Sequence, residues 1–119
     1  MNIQTVGVIG AGQMGNGIAH VCALSGYKVQ LIDIDQAHLD KGIKTIDGNL
    51  DRQISRGRIK PEEKDFTLKH IHPGLDYAAL GDCDLVIEAA TENEAIKRDI
   101  FKKVCPNLKA GALLATNTS

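Results

Sequence analysis

Residues Gly7 to Ala19, "GVIGAGQMGNGIA", carry five glycines in thirteen positions. Gly10, Gly12 and Gly15 take the spacing G-x-G-x-x-G, which either cradles a phosphate or merely joins a strand to a helix. In the first case each glycine has a task. Gly10 permits the tight turn, Gly12 lets the backbone approach a pyrophosphate, and Gly15 lets the helix pack against the strand. The helix then presents free N–H groups and partial positive charge to the anion. Asp33 supplies the second half of the chemistry. It closes the run "VQLID", 23 residues beyond Gly10, where a carboxylate can accept from both hydroxyls of an adenosine ribose. The next residues, Ile34, Asp35 and Gln36, include no Arg or Lys to neutralise a 2′-phosphate, which favours NAD over NADP. FAD uses the same fingerprint and stays open at this point.

These groups need a scaffold, and the surrounding pattern supplies one. Thr5 to Ile9 is a short apolar run of the kind that forms a strand buried on both faces. From Gln13 to Ser25, Ile18, Val21, Cys22 and Leu24 recur near helical spacing, with Gly26 as the stop. Val29 to Ile32 reads as a second strand, completing a βαβ unit. Leu39, Ile43, Ile46, Leu50 and Ile54 mark a long amphipathic helix ended by Gly57. Pro61, Glu62 and Glu63 open a short helical turn, Thr67 to Ile71 reads as a third strand closed by "HPG", and a short helical piece covers Tyr77 to Leu80. "CDLVIEAA" is a buried strand, Leu85 to Ala89. A helix follows from Glu94 to about Leu108, with Ile96, Ile100, Phe101 and Val104 inward, and Ala112 to Ala115 is the last strand. The alternation predicts an α/β fold, a Rossmann doubly wound parallel sheet with a long helix after the second strand.

The 119 residues hold one domain. A formal net charge of −1 gives no global attraction to nucleic acid or membrane, and aromatics at 3% offer no stacking platform for single strands. No apolar run reaches the length of a membrane span. Cys22, Cys83 and Cys105 lie far apart without metal-ligand spacing, so no metal site is expected and reduced thiols are. With no signal segment at the start, the expectation is cytoplasmic. The chain stops at "TNTS" as its last strand ends. Ligands in open parallel sheets bind beyond the carboxyl ends of strands, so the sequence is expected to be the N-terminal piece of a longer enzyme, without its substrate and dimerisation domain.

The sequence resembles the 3-hydroxyacyl-CoA dehydrogenase family along its whole length, through "VIGAGQMGNGIA", "LIDID", the long helix ending "ISRGRI", "DCDLVIEAATENEAIKRDIF" and "LLATNTS". The resemblance implies an NAD-dependent oxidoreductase interconverting short 3-hydroxyacyl-CoA and 3-ketoacyl-CoA thioesters. Glu92 and Lys97 match the positions that contact the nicotinamide-side ribose. Ser119 matches the serine that hydrogen-bonds the substrate's 3-oxygen, a task for which a hydroxyl both donates and accepts. Asn117 in the same turn is placed to contact cofactor. Gln13 and Met14 inside the glycine turn, and Ala90 just past the fourth strand, complete the expected cofactor contacts. Basic residues on the long helix meet coenzyme A phosphates in the family, a role that falls here on Arg52 and Arg56, whose planar forks suit phosphate oxygens. They equally read as a solvated basic face.

His20, His38, His70 and His72 show no spacing to a carboxylate that marks a catalytic dyad. The family's catalytic histidine belongs to an H-F-x-N-P-like segment after the "NTS" turn, which these residues do not contain. The chain alone is therefore expected to bind cofactor without turnover, and the family to dimerise through the carboxyl-terminal domain. Three other readings remain: a β-hydroxyacid dehydrogenase acting on a free acid, a non-catalytic NAD-sensing module, and a flavoprotein.

Overall fold

The computed structural model describes residues 3–91 and 93–116. Strands β1 (Thr5–Ile9), β2 (Lys28–Ile32), β3 (Ile71–Gly74), β4 (Leu85–Glu88) and β5 (Leu113–Thr116) form one sheet in the order β3-β2-β1-β4-β5. Every pairing is parallel, with Val6 beside both Val29 and Leu85, and Leu85 beside Leu113. The fold expected from the sequence is the fold observed.

Strand alternation divides the core in two. Val6, Val8, Val29 and Leu31 point to helices α1 (Gln13–Leu24) and α2 (Gln36–Ser55), meeting Ala19, Ala23, Leu39, Ile46 and Leu50. Ile9, Ile32 and Val86 point the other way, to Leu80 and Cys83 beside the 3-10 turn Tyr77–Asp82 and to Ile100 and Val104 of helix α4 (Glu94–Val104). From β1 the chain winds toward β2 on one side, and it later returns to β4 on the other. The connections therefore diverge beyond the carboxyl ends of β1 and β4, and a crevice opens there.

Residues 67–69 are not strand. They complete helix α3 (Pro61–Lys69), and the third strand is Ile71–Gly74. The cause is tertiary. Thr67 is buried and its hydroxyl donates to the Glu63 carbonyl, while Lys64 bridges Asp47 and Asp51 of α2. The "HPG" that reads as a terminator lies inside an edge strand, where Pro73 removes no ladder bond the sheet needs. The fourth helix also ends earlier than its pattern predicts, at Val104, before a 3-10 turn containing Pro106. On α1 the inward face is Gly15, Asn16, Ala19, His20 and Ala23, and Val21 is 64% exposed. Small residues face the sheet because α1 lies close to it.

Candidate functional site

The loop from β1 into α1 is shaped by its neighbours. Gly10 has φ +103°, and a Cβ there would lie 2.7 Å from the Ala90 Cα. A Cβ on Gly15 would fall 1.7 Å from the Gly10 carbonyl oxygen, so only hydrogen fits where α1 crosses the turn. Gly42 does the same for α2, since a Cβ there would come within 2.7 Å of the Ala11 oxygen. Gly12 is the contrast: a Cβ on it would meet no protein atom within 4 Å. The turn is packed tightly from behind and open in front.

The opening of α1 is unusual among these helices. Asp35 caps α2 through the Ala37 N–H at 2.7 Å, and Asn93 caps α4 through the Ile96 N–H at 3.1 Å. Helix α1 begins after Gly12 with no side-chain cap and no acid in its first turn. Its N–H groups and dipole thus face the crevice uncompensated, the arrangement that receives an anion.

Asp33 sits at the other end of the same crevice. Its Oδ2 accepts the Ala11 N–H at 2.9 Å and its Oδ1 accepts the Ile34 N–H at 2.7 Å, which fixes the carboxylate in place. A carboxylate has about four acceptor sites, so two backbone bonds leave room for a ligand's hydroxyls. Gly10, Gly12, Gln13, Asp33 and Ala90 all border one cavity of about 840 Å³. Its far wall is the loop Ala89–Thr91 with Ile96, Asp99 and Lys103 of α4, and its side wall is His38, Lys41 and Thr45 of α2. Ile96, expected to face the core, is half exposed and lines this cavity.

Two groups here escaped sequence reasoning. His38, five residues past Asp33, brings Nδ1 to 3.6 Å from Asp33 Oδ1, because the turn from β2 into α2 folds the helix start back over the strand end. The sequence spacing gave no sign of this contact, which lies at the cavity's ribose end. Lys41, one turn on, supplies a cation that the three residues after Asp33 lack. The other group is Glu88, wholly buried at the end of β4. Its Oε2 accepts the N–H groups of Ala90 and Thr91 at 2.7 and 3.1 Å, and its Oε1 accepts the Thr116 hydroxyl at 2.9 Å. A carboxylate closing an otherwise apolar run was the available signal.

Lys97 is 7% exposed, so it is no solvated helix lysine. Its Nζ lies 3.0 Å from Thr116 Oγ1 and 3.6 Å from Glu88 Oε1. Glu94 and Arg98 form the expected exposed pair. Met14 is exposed on α1 beside Gln13, Ile18 and Val21, outside the large cavity. Arg52 and Arg56 are also apart from it. They border a shallow groove between α1 and α2 with His20 and Gln53, which hydrogen-bond each other at 2.9 Å, and Arg52 bonds Asn49. Glu92, Asn117 and Ser119 lie outside the described residues. Among the described residues, no group of His, Cys, Asp and Glu has the arrangement of a metal site, and no helix is long and apolar enough to cross a membrane. Burial pushes the Cys83 thiol up to about 11.

Comparison with known proteins supplies a family. The family model described as "3-hydroxyacyl-CoA dehydrogenase, NAD binding domain" matches residues 5–119. A 3-hydroxybutyryl-CoA dehydrogenase of Bradyrhizobium diazoefficiens is 50% identical over 117 residues, 98% of this chain and 40% of that protein. A 3-hydroxyadipyl-CoA dehydrogenase of Escherichia coli is 42% identical over 119 residues, 100% of this chain and 25% of that protein. Among solved structures, the (S)-3-hydroxybutyryl-CoA dehydrogenase of Ralstonia eutropha superposes with a TM-score of 0.96 at 41% identity, covering 99% of this chain and 42% of that one. The chain thus spans well under half the length of these relatives.

Proposed function

Because the chain belongs to the family of NAD-binding domains of 3-hydroxyacyl-CoA dehydrogenases, with NAD as its cofactor, we propose that it serves an oxidoreductase interconverting a short-chain 3-hydroxyacyl-CoA and its 3-ketoacyl-CoA. The observation that carries this reading is the meeting of an uncapped helix start, an open Gly12 and a fixed Asp33 around one cavity. In this reading Gly10, Gly12 and Gln13 receive the pyrophosphate on backbone N–H groups, and Asp33 accepts the adenosine ribose hydroxyls. Gly15 sets the closeness of α1 behind them. Ala90 flanks the cofactor from the β4 side, and Met14 closes the outer edge of the turn.

Bound NAD supplies the hydride acceptor. The protein's share is orientation, which turns a bimolecular encounter into a reaction of held partners. Lys97 and Glu92 address the nicotinamide-side ribose, Asn117 contacts cofactor, and Ser119 holds the substrate's 3-oxygen. Arg52 and Arg56 take coenzyme A phosphates. The proton acceptor, a histidine, belongs to sequence beyond these residues, as does a helical domain through which the enzyme dimerises in the cytoplasm. The relatives' names share a coenzyme A thioester and differ in the acyl group.

A fluorescence titration of this chain with NADH tests the reading directly. Saturable binding that Asp33→Ala abolishes is the expected result, together with no oxidation of 3-hydroxybutyryl-CoA by the chain alone. Binding unaffected by Asp33→Ala refutes the placement of the ribose. Substrate turnover by the chain alone refutes the division of labour.

A further inference from the structure

We propose that His38 and Lys41 make the adenosine-ribose end of the cavity a proton-gated acceptor for a 2′-phosphate. A 2′-phosphorylated dinucleotide then gains on NAD as the medium becomes mildly acidic. The inference rests on the reading above that Asp33 faces the adenosine ribose.

The Asp33 carboxylate is locked by the N–H groups of Ala11 and Ile34, so it cannot swing away from a ligand phosphate. A dianion placed beside it meets like charge at short range, which is how such sites reject the phosphorylated cofactor. Two groups oppose that rejection here. Lys41 brings a cationic side chain to the cavity wall. His38 lies one turn before it on the same face of α2, with Nδ1 3.6 Å from Asp33 Oδ1 and a side chain 61% exposed, open to an incoming ligand. Imidazole is the side chain whose charge changes between about pH 5 and 8. Uncharged, it leaves the repulsion of Asp33 in force. Protonated, it offsets that carboxylate and adds an N–H donor next to Lys41 where a 2′-phosphate would lie.

The other titratable groups around this point are carboxylates, a phenol and an amine. Asp33 follows β2 and Asp35 caps α2; Tyr77 on the 3-10 turn and Asp99 and Lys103 on α4 line the same cavity as His38. Asp99 and Lys103 form an ion pair at 3.1 Å, so α4 presents little net field. None of these side-chain types changes charge between about pH 5 and 8. The gate is therefore the imidazole.

The test is calorimetric titration of this chain and of His38→Gln with NAD⁺ and with NADP⁺, at about pH 8 and about pH 5.5 and equal ionic strength. A phosphate monoester takes up its own proton near about pH 6, and it does so in both proteins. The expected result is that the ratio of dissociation constants, NADP⁺ over NAD⁺, falls about fivefold further in the wild type than in His38→Gln, the effect of one charge about 4 Å away at a water-like dielectric. Lys41→Met should raise the ratio at both pH values. An equal fall in wild type and His38→Gln, or no fall in either, overturns the gate while leaving NAD binding intact. Failure of both dinucleotides to bind the folded wild type overturns the ribose reading, and the gate with it.

Discussion

Asp33 and Asp84 perform the same local act at opposite ends of the sheet, with different consequences. Asp84, just before β4, accepts the N–H groups of Gln4 and Thr5 through Oδ2 at 2.9 and 3.0 Å, while Lys109, leading into β5, bonds its Oδ1. Three segments are tied at the amino edge by one carboxylate. The Lys109 ammonium, followed by the two backbone donors, holds its carboxyl well below the usual carboxylate range. Asp33 also takes two backbone donors, but its neighbour is a half-exposed cavity instead of a third chain segment. One carboxylate is spent inside the fold, and the other is fixed by the fold with capacity left over. A binding group in this architecture is a structural group with one side left open.

Glu88 lies between these cases, and removing it tests the comparison most severely. It ties the loop carrying Ala90 to the strand that carries Thr116, and Lys97 sits against it. Glu88→Ala leaves the N–H groups of Ala90 and Thr91 and the Thr116 hydroxyl without their acceptor and takes the carboxylate away from the buried Lys97 ammonium. The loss expected for breaking a buried pair is about 3–5 kcal/mol, read as a lower denaturant midpoint, with NADH affinity lost in the same variant. If Glu88→Ala keeps wild-type stability, the carboxylate is not the tie described. Asp33→Asn should act mainly on binding. One of its two backbone donors, Ala11 or Ile34, must then face the amide NH2 instead of an oxygen, so the midpoint falls modestly. The loss of charge-assisted bonds worth about 1.5–3 kcal/mol lowers NADH affinity roughly ten- to hundredfold.

Gly12 and Gly15 sharpen the same distinction within one turn. Gly15→Ala puts a methyl into the Gly10 carbonyl, whereas Gly12→Ala meets no protein atom. Gly12→Ala should therefore change stability by less than about 1 kcal/mol and weaken NADH by about tenfold, because the methyl intrudes only on the ligand. A destabilised Gly12→Ala variant with normal NADH affinity would contradict the open front of the turn.

The parts legible in the sequence are those set by local pattern. The strands flanking the glycine turn, α2 and Asp33 all stand where periodicity and spacing put them, because a buried parallel strand is a continuous apolar run and an amphipathic helix repeats every turn. The parts that were not legible depend on what one element does to another. Thr67–Lys69 form a helix through contacts with α2, Pro73 stays in a strand because that strand is an edge, and Ile96 is drawn out of the core to a cavity wall. His38 reaches Asp33 through a turn whose course no spacing rule encodes. Lys97 is burial without a hydrophobic signal, and its neighbours include Thr116 and Glu88, the latter itself hidden in an apolar run.

The smallest effect at neutral pH belongs to Asp84→Asn, and its sign with pH is the informative part. The unfolded chain's aspartate takes up a proton below about pH 4, whereas the folded protein's Asp84 resists protonation. Its contribution to stability is complete above that range and drains away as pH falls toward the folded value, because the unfolded state then binds the extra proton. Asparagine keeps an acceptor for Gln4 or Thr5 but carries no charge for Lys109. Urea midpoints of Asp84→Asn should lie somewhat below wild type at pH 7 and converge on it in acid, with NADH affinity unchanged. A gap that stays constant down to low pH would mean that the charge contributes nothing and only the backbone bonds count. A loss of NADH affinity would mean that the two edges of the sheet are coupled, and the separation between structural and binding carboxylates would fail.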